Sequence, residues 1–201
     1  MGLLDQACCY LSGAMEYVKD NGVAWRRYII ERCWKEGLQI DFIDPTDKPG
    51  GEDVMIDENK AIQEEYQKNG RFRELQKIVK EYRHYDLRFC DNADFQITMI
   101  NPAVPQWGTA NEVYANEQDQ KPAFFICEGS LYNLPRWLYG VIDNIEDDDP
   151  QVVLEKINVY QTVDDVIEQL KLLNSGKKPL SKERILVRKE IERRRQQFMR
   201  R

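Results

Sequence analysis

The sequence predicts one α/β domain whose parallel sheet is covered by helices on both faces. Short apolar runs alternate along the chain with segments of helical periodicity, which is the pattern of strand–helix–strand units. The composition, 42% hydrophobic and 32% charged in 201 residues, is typical of a single compact domain. Together these observations favour a single-domain, flavodoxin- or Rossmann-like three-layer sandwich with a C-terminal helical extension.

The first 50 residues predict a strand, a helix and a second strand. Residues 7–12 are an apolar run of the kind that forms a buried strand. Apolar side chains then recur at helical spacing before Gly37, and Asp20 or Asn21 can cap this helix. Residues 38–44 predict the second strand, which leads into a turn-rich loop with two prolines.

The middle of the chain predicts a broken helix, a strand and another helix. Residues 57–92 have a helical pattern that breaks near Gly70. The third strand is expected at 94–100, and a loop follows it. Thr109 is a suitable cap for the next helix, which we expect to end near Gln118.

The last third predicts two strands and two helices. Residues 121–127 form a strand rich in aromatic residues, and 156–161 form a weaker fifth strand. Thr162 caps a helix that runs to Leu173, with two aspartates in its first turn. A final helix is expected after Ser181.

Charge divides the chain into an acidic body and a basic tail. Residues 177–201 hold eleven Lys or Arg and three Glu, a net charge of +8, so residues 1–176 carry −14 of the total of −6. An acidic body argues against a nucleic-acid-binding core. We expect an α/β domain at 1–176 and a basic helical tail at 177–201 that packs on an acidic surface rather than on nucleic acid.

Cysteine and histidine usage narrows the possible chemistry. The five cysteines lack C-x-x-C spacing and lie in apolar surroundings, which predicts small reduced core residues. The one histidine, His84, lies in a charged stretch, so a Ser-His-Asp triad or a multi-histidine metal site is not indicated. No apolar run approaches the roughly 20 residues that span a membrane, and we expect a cytoplasmic protein. Carboxylate chemistry is the option that remains.

Several carboxylates are expected near strand ends. Tyr10 and Gly13 close the first strand and Glu112 follows the third, so they can face one pocket at the same edge of a parallel sheet. Asp86 can reach that pocket from the preceding helix. In a first helical turn Glu112 would be kept ionised and able to attack an electron-poor sugar carbon. Taken singly, Glu112 can equally be an ordinary first-turn glutamate, and Asp94 a turn residue.

Three segments resemble the nucleoside 2-deoxyribosyltransferase superfamily. Residues 10–49 look like its opening strand, helix and proline-containing loop, beginning with the aromatic-x-x-Gly strand end YLSG. Residues 86–101, DLRFCDNADFQITMIN, are similar to its D-L segment. Residues 108–126, GTANEVYANEQDQKPAFFI, resemble its G-x-x-x-E helix and the strand after it. Residues 158–170 suit its closing strand and helix.

The resemblance implies a function for particular residues. Glu112 would be the nucleophile and Asp86 the carboxylate that orients the sugar or donates a proton. The substrate-binding positions implied with them are Tyr10, Gly13, Gly108, Thr109, Asn111 and Asp94, the last in a more structural role. The implied reaction is cleavage or exchange of the N-glycosidic bond of a (2′-deoxy)nucleoside or nucleoside monophosphate. It needs no metal or organic cofactor, and it implies a homo-oligomer with shared active sites and no membrane partner.

Alternatives remain open at this point. The domain can be a nucleotide-binding or sequestering module without turnover, or a nucleic-acid-associated accessory protein that acts through its tail. Gln106 stands where some of these transferases carry an aspartate six residues before the nucleophile, so we expect the base to be handled differently. Transfer and hydrolysis both stay open, because the choice depends on whether the pocket admits a second base before water. Arg26 and Arg27 are either a solvated helix face or a phosphate contact.

Overall fold

The computed structural model describes residues 2–47, 57–149 and 157–178. Within them, a five-stranded sheet has the order β2-β1-β3-β4-β5, and every neighbouring pair is parallel. This is the strand order of flavodoxin-like doubly wound sheets. The predicted α/β class is therefore confirmed. The strands are β1 (Cys8–Gly13), β2 (Asp41–Ile43), β3 (Phe95–Ile100), β4 (Ala123–Cys127) and β5 (Val159–Tyr160).

Helices cover both faces of this sheet. The described α-helices are α1 (Val23–Lys35), α2 (Asp57–Lys68), α3 (Phe72–Asn92), α4 (Trp107–Gln118) and α5 (Val163–Asn174), with two short 3-10 turns at Ser130–Asn133 and Arg136–Gly140. Within the described ranges, no helix combines the length and apolar character needed to cross a membrane. The helix expected after Ser181, and the tail beyond Lys178, lie outside the described residues.

Local signals account for three of the helix boundaries. The Asp20 carboxylate accepts the backbone N–H groups of Gly22 and Ala24 and so caps α1. The predicted break near Gly70 is confirmed, because that residue adopts a φ of 71° between α2 and α3. At the start of α5, Thr162 and Asp165 form a reciprocal capping box.

The start of α4 differs from the prediction. The helix begins at Trp107, so Thr109 is a buried residue inside its first turn and not its cap. The Gln106 side chain closes the preceding loop, since its Oε1 accepts the N–H of Asn101 at 2.9 Å and its Nε2 donates to the carbonyl of Met99 at 3.1 Å. These two hydrogen bonds close the loop at Gln106, so the helix begins earlier than it would with Thr109 as its cap.

The two sheet faces have different chemistry. One face packs Cys9, Leu11 and Ile97 against α1 and α5 in a continuous apolar core. The other face is apolar under the 3-10 turns, where Phe125 lies. On β1 and β3, beneath α3 and α4, this second face becomes polar, with Tyr10, Ser12, Gln96 and Thr98 buried there. All five cysteines are buried thiols, as predicted.

Candidate active site

A cavity of about 430 Å³ lies at the carboxyl ends of β1 and β3. Since the chain leaves β1 toward β2 and leaves β3 in the opposite direction toward β4, this is the point of the sheet where doubly wound folds bind ligands. Three segments form its wall: residues 13–17 after β1, one side of α3 between Val79 and Leu87, and residues 105–112 at the start of α4.

Glu112 presents a carboxyl group to this cavity. The Tyr10 hydroxyl donates to its Oε1 at 3.1 Å, and the Ser12 hydroxyl donates to its Oε2. Tyr10 and Ser12 are two residues apart on β1, so strand alternation places both side chains on the face that α4 covers. Both carboxylate oxygens are thus held by hydroxyl groups of a buried strand, which fixes the orientation of the Glu112 side chain.

The environment of Glu112 opposes its ionisation, contrary to the sequence prediction. The residue is the sixth of α4, past the first turn in which the helix N-terminus would favour a negative charge. Burial, together with the negative charge of Asp86, raises the pKa of Glu112 to about 7. The hydrogen bonds from Ser12 and Tyr10, and the positive charge of Arg26, act in the opposite direction. The carboxyl group therefore titrates near neutral pH.

Asp86 lines the same cavity from α3. It lies within the helix, which continues to Asn92, and its side chain is half-buried. Its charge is one of the causes of the raised pKa of Glu112, as expected for two carboxyl groups that face one space. The structure thus brings together the two carboxylates that the sequence singled out.

The other predicted pocket residues have different surroundings. Gly13, Gly108, Thr109 and Asn111 all line the cavity, and the Asn111 Oδ1 accepts a hydrogen bond from Arg83 at 3.2 Å. A Cβ atom at Gly13 would lie 3.1 Å from the Trp25 ring and 3.2 Å from Met99. A side chain at this position would therefore require the Trp25 ring or Met99 to shift by a few tenths of an ångström.

Asp94 is not part of the cavity, which corrects its predicted place in the substrate site. It precedes β3 and so lies at the amino ends of the strands, whereas the cavity lies at their carboxyl ends. Its Oδ2 accepts the N–H of Cys8 at 2.8 Å, and its own N–H donates to the Cys8 carbonyl at 2.8 Å. The physical reason is that parallel strands run in the same direction, so the amino end of β3 lies one strand length from the carboxyl end of β1. Asp94 joins the starts of two strands.

Arg26 is a structural residue, not a phosphate contact. Its guanidinium is fully buried and donates to the carbonyls of Leu11, Gly13 and Gly22 at 2.8–3.2 Å. An ion pair with Asp44, at 3.7 Å, balances part of its charge. These contacts fix the end of β1 and the loop that follows it, whereas the neighbouring Arg27 is exposed.

Some cavity residues were not singled out by the sequence analysis. Tyr82 and Arg83 reach the cavity from the helical segment 57–92, which carried no predicted role, and Tyr17 lines it from the loop after β1. Trp107 lies at the rim with 84% of its surface exposed. Ser12 does not line the cavity but contacts Glu112, and for it a signal was available, because strand alternation alone places it on the same face as Tyr10.

Within the described ranges, no group of three or more His, Cys, Asp and Glu residues is arranged to hold a metal ion. The polar groups that line the cavity are instead carboxyl, hydroxyl, amide and guanidinium groups. Such a set can orient a polar organic ligand and move a proton or form a covalent bond through a carboxylate.

Comparisons with known proteins give little information on activity. No family model and no curated protein matches this chain. Among solved structures, the chain is similar to a conserved protein from Enterococcus faecalis V583, with a TM-score of 0.45 and 10% sequence identity. The match covers 83% of this chain and 98% of the other. This similarity is too distant to bear on function, which has to be inferred from the cavity residues.

Proposed function

We propose that the protein cleaves or exchanges the N-glycosidic bond of a (2′-deoxy)nucleoside or nucleoside monophosphate through a covalent bond between the sugar and Glu112. One observation carries this proposal. The Glu112 carboxyl group is held at both oxygens by the hydroxyls of Tyr10 and Ser12, in a cavity that it shares with the second carboxyl group of Asp86. The resemblance of three sequence segments to nucleoside 2-deoxyribosyltransferases supports the same class of reaction.

The two carboxyl groups divide the chemistry of glycosyl transfer between them. An Oε atom of Glu112 attacks C1′ of the sugar, and the C1′–N bond breaks as its electron pair passes to the base nitrogen. Asp86, or a water molecule that it orients, supplies the proton that the leaving base requires. In the second step water or another base attacks C1′, loses a proton, and releases the Glu112 carboxylate.

The raised pKa of Glu112 fits a nucleophile that cycles between charged and neutral forms. The ester with the sugar is neutral, so a site that disfavours the negative charge destabilises the free carboxylate more than the covalent species. The hydrogen bonds from the hydroxyls of Tyr10 and Ser12 lower the pKa of Glu112, which favours the ionised form that attacks. Burial thereby favours formation of the covalent bond.

The cavity has the size and the surfaces for a nucleoside. Its volume of about 430 Å³ falls within the range of ligand pockets, roughly 300–1,000 Å³. Tyr17, Tyr82 and Trp107 line it with flat aromatic surfaces against which a base can stack. Arg83, also on the wall, offers a cation for a phosphate, so nucleosides and monophosphates are both tested below.

The test is base release from deoxynucleosides and deoxynucleoside monophosphates, with and without a free acceptor base, followed by chromatography. We expect Glu112→Gln to lower turnover by roughly a thousandfold or more while the fold is retained. Glu117→Gln is the matched control, because Glu117 is an exposed glutamate on the same helix, and it should leave turnover unchanged. Intact-protein mass spectrometry of acid-quenched reactions should show the mass of the sugar on the parent chain but not on Glu112→Gln.

Two outcomes would contradict the proposal. Normal base release by Glu112→Gln would remove Glu112 from the mechanism. Tight binding of a nucleotide with no release of base under any condition would favour the alternative of a nucleotide-sequestering module, in which Glu112 only hydrogen-bonds a sugar hydroxyl.

A further inference from the structure

Two polar side chains on β3 are buried opposite Tyr10 and Ser12 without lining the cavity. Gln96 and Thr98 on β3 are 1% and 0% exposed. In the sheet register Tyr10 lies opposite Gln96 and Ser12 lies opposite Thr98. The four side chains therefore form one polar patch on the sheet face that α4 covers, and the hydroxyls of Tyr10 and Ser12 connect this patch to Glu112.

The hydrogen-bonding capacity of this patch is only partly used by the protein. Among the described residues, neither Nε2 nor Oε1 of Gln96 has a hydrogen-bond partner, and Oγ1 of Thr98 has none. Buried polar atoms are nearly always paired with protein or with ordered water, because burial without a partner is costly. Three such atoms on two residues of the same strand face indicate that something small and polar binds between them.

We propose that Gln96 and Thr98 bind internal water beneath Glu112, and that this water orients the hydroxyls of Tyr10 and Ser12 toward the Glu112 carboxylate. Water is the ligand class that fits, since neither residue lines the cavity and an internal water needs two to four polar partners. The Gln96 amide and the Thr98 hydroxyl both offer donors and acceptors. The hydroxyls of Tyr10 and Ser12 donate to Glu112 and still have lone pairs that can accept from the water.

Gln96 and Thr98 are positioning residues in this arrangement. A hydroxyl that accepts a hydrogen bond becomes a better donor, so water on the patch strengthens the hydrogen bonds from Tyr10 and Ser12 to Glu112. The charged and titratable groups that face Glu112 from other elements are Tyr10 on β1, Asp86 and Cys90 on α3, and Arg26 on α1. Substitutions on β3 alter none of these groups, so a change in the pKa of Glu112 after such a substitution reports on the patch.

The experiment measures the ionisation of Glu112 directly and does not require the proposed reaction. Protein labelled with ¹³C at glutamate carboxyls is titrated by NMR, with the Glu112 signal assigned by its loss in Glu112→Gln. We expect Thr98→Val, which removes the hydroxyl at nearly constant shape, to raise the pKa of Glu112 by about one, a tenfold change in its ionisation constant. Thr98→Ser keeps a hydroxyl and should retain the parent titration.

A second variant and a second readout make the result decisive. Gln96→Met removes both amide atoms and is expected to raise the pKa of Glu112 in the same direction, which covers the case that Thr98→Val does not fold. A high-resolution crystal structure should contain a water within hydrogen-bond distance of Thr98 Oγ1, absent from Thr98→Val. An unchanged Glu112 titration in the folded variants, or a dry patch in the crystal, would overturn the proposal. Failure of the proposed function would appear separately, as no base release by the parent protein or as base release that survives Glu112→Gln.

Discussion

Glu112 illustrates how strand residues can orient a helix carboxyl. Its two oxygens contact hydroxyls from alternate positions of β1, and its charge is opposed by burial and by Asp86. The hydrogen bonds fix the orientation of the carboxyl group, but burial and the charge of Asp86 disfavour its ionised form. Such a group lowers the stability of the fold at neutral pH, and this has a measurable consequence.

We predict that Glu112 destabilises the fold as pH rises. Its folded pKa of about 7 is above the model-peptide value, so the folded state retains the proton over a range in which the unfolded chain has lost it. The contribution of Glu112 to stability therefore falls between about pH 4 and pH 7. The difference in unfolding free energy between Glu112→Gln and the parent should move in favour of the variant by up to ~3 kcal/mol across that range.

Urea denaturation of both proteins at about pH 4, 6 and 8 measures this difference. Glu117→Gln is again the control, since it replaces an exposed glutamate on the same helix outside the cavity. A difference between Glu112→Gln and the parent that stays constant with pH would mean that Glu112 does not titrate near neutrality.

Asp86 and Asp94 are predicted to respond oppositely to the same substitution. Asp86→Asn should keep a near-native melting temperature and lose most base-release activity, because Asp86 faces the cavity. Asp94→Asn should lose about 1–3 kcal/mol, because the Asp94 carboxylate is buried and accepts the N–H of Cys8. Thermal melts and base-release rates on both variants provide the check, and the reverse pattern would exchange the roles assigned here.

At the scale of elements, α1 is joined to β1 through one buried side chain. We predict that Arg26→Met destabilises the protein by at least about 3 kcal/mol, because carbonyls of β1 and of the following loop lose charged donors. Arg27→Met, on the exposed side of the same helix, should change stability by less than about 0.5 kcal/mol. Chemical denaturation of the two variants measures this contrast, and equal stabilities would show that the Arg26 contacts contribute nothing net.

The helix α3 forms part of the cavity wall, and α2 supports that wall from outside through side-chain hydrogen bonds. Lys60 on α2 donates to the Met15 carbonyl at 3.1 Å, in the loop that lines the cavity. Gln63 on α2 donates to the Tyr82 hydroxyl at 3.0 Å and so orients a ring on α3 that also lines it. One element therefore contacts two of the three wall segments.

At the scale of the whole molecule, the acidic body and the basic tail are predicted to be functionally separable. Lys178 still belongs to the described fold, since its Nζ donates to the Gln169 Oε1 at 2.8 Å. Removal of residues 179–201, which hold nine Lys or Arg and three Glu, should leave base release intact. Any nucleic-acid binding should be lost with these residues and should weaken steeply with salt in the full chain.

Base-release rates, salt titrations and sedimentation of the shortened chain test this separation. A shortened chain that folds and keeps its oligomeric state but has no activity would show that the tail belongs to the active site.

Within the described residues, local sequence patterns predicted the five strands, the α-helices between them and their order. The break at Gly70 and the capping box at Thr162 follow from interactions within a few residues, which local patterns encode. Alternation of strands and helices fixed the parallel sheet, and strand direction then placed Gly13 and Glu112 at one edge.

The partners, location and ionisation of individual side chains depended on tertiary contacts. Arg26 binds backbone carbonyls because the end of β1 packs beside α1. Asp94 lies away from the cavity because β3 begins at the other end of the parallel strands. Burial and the approach of Asp86 from α3 reverse the ionisation preference that helix position alone would give Glu112. The physical reason is that charge, burial and hydrogen-bond partners depend on neighbours that are distant in the chain, whereas helix caps, turns and strand patterns depend on residues that are adjacent.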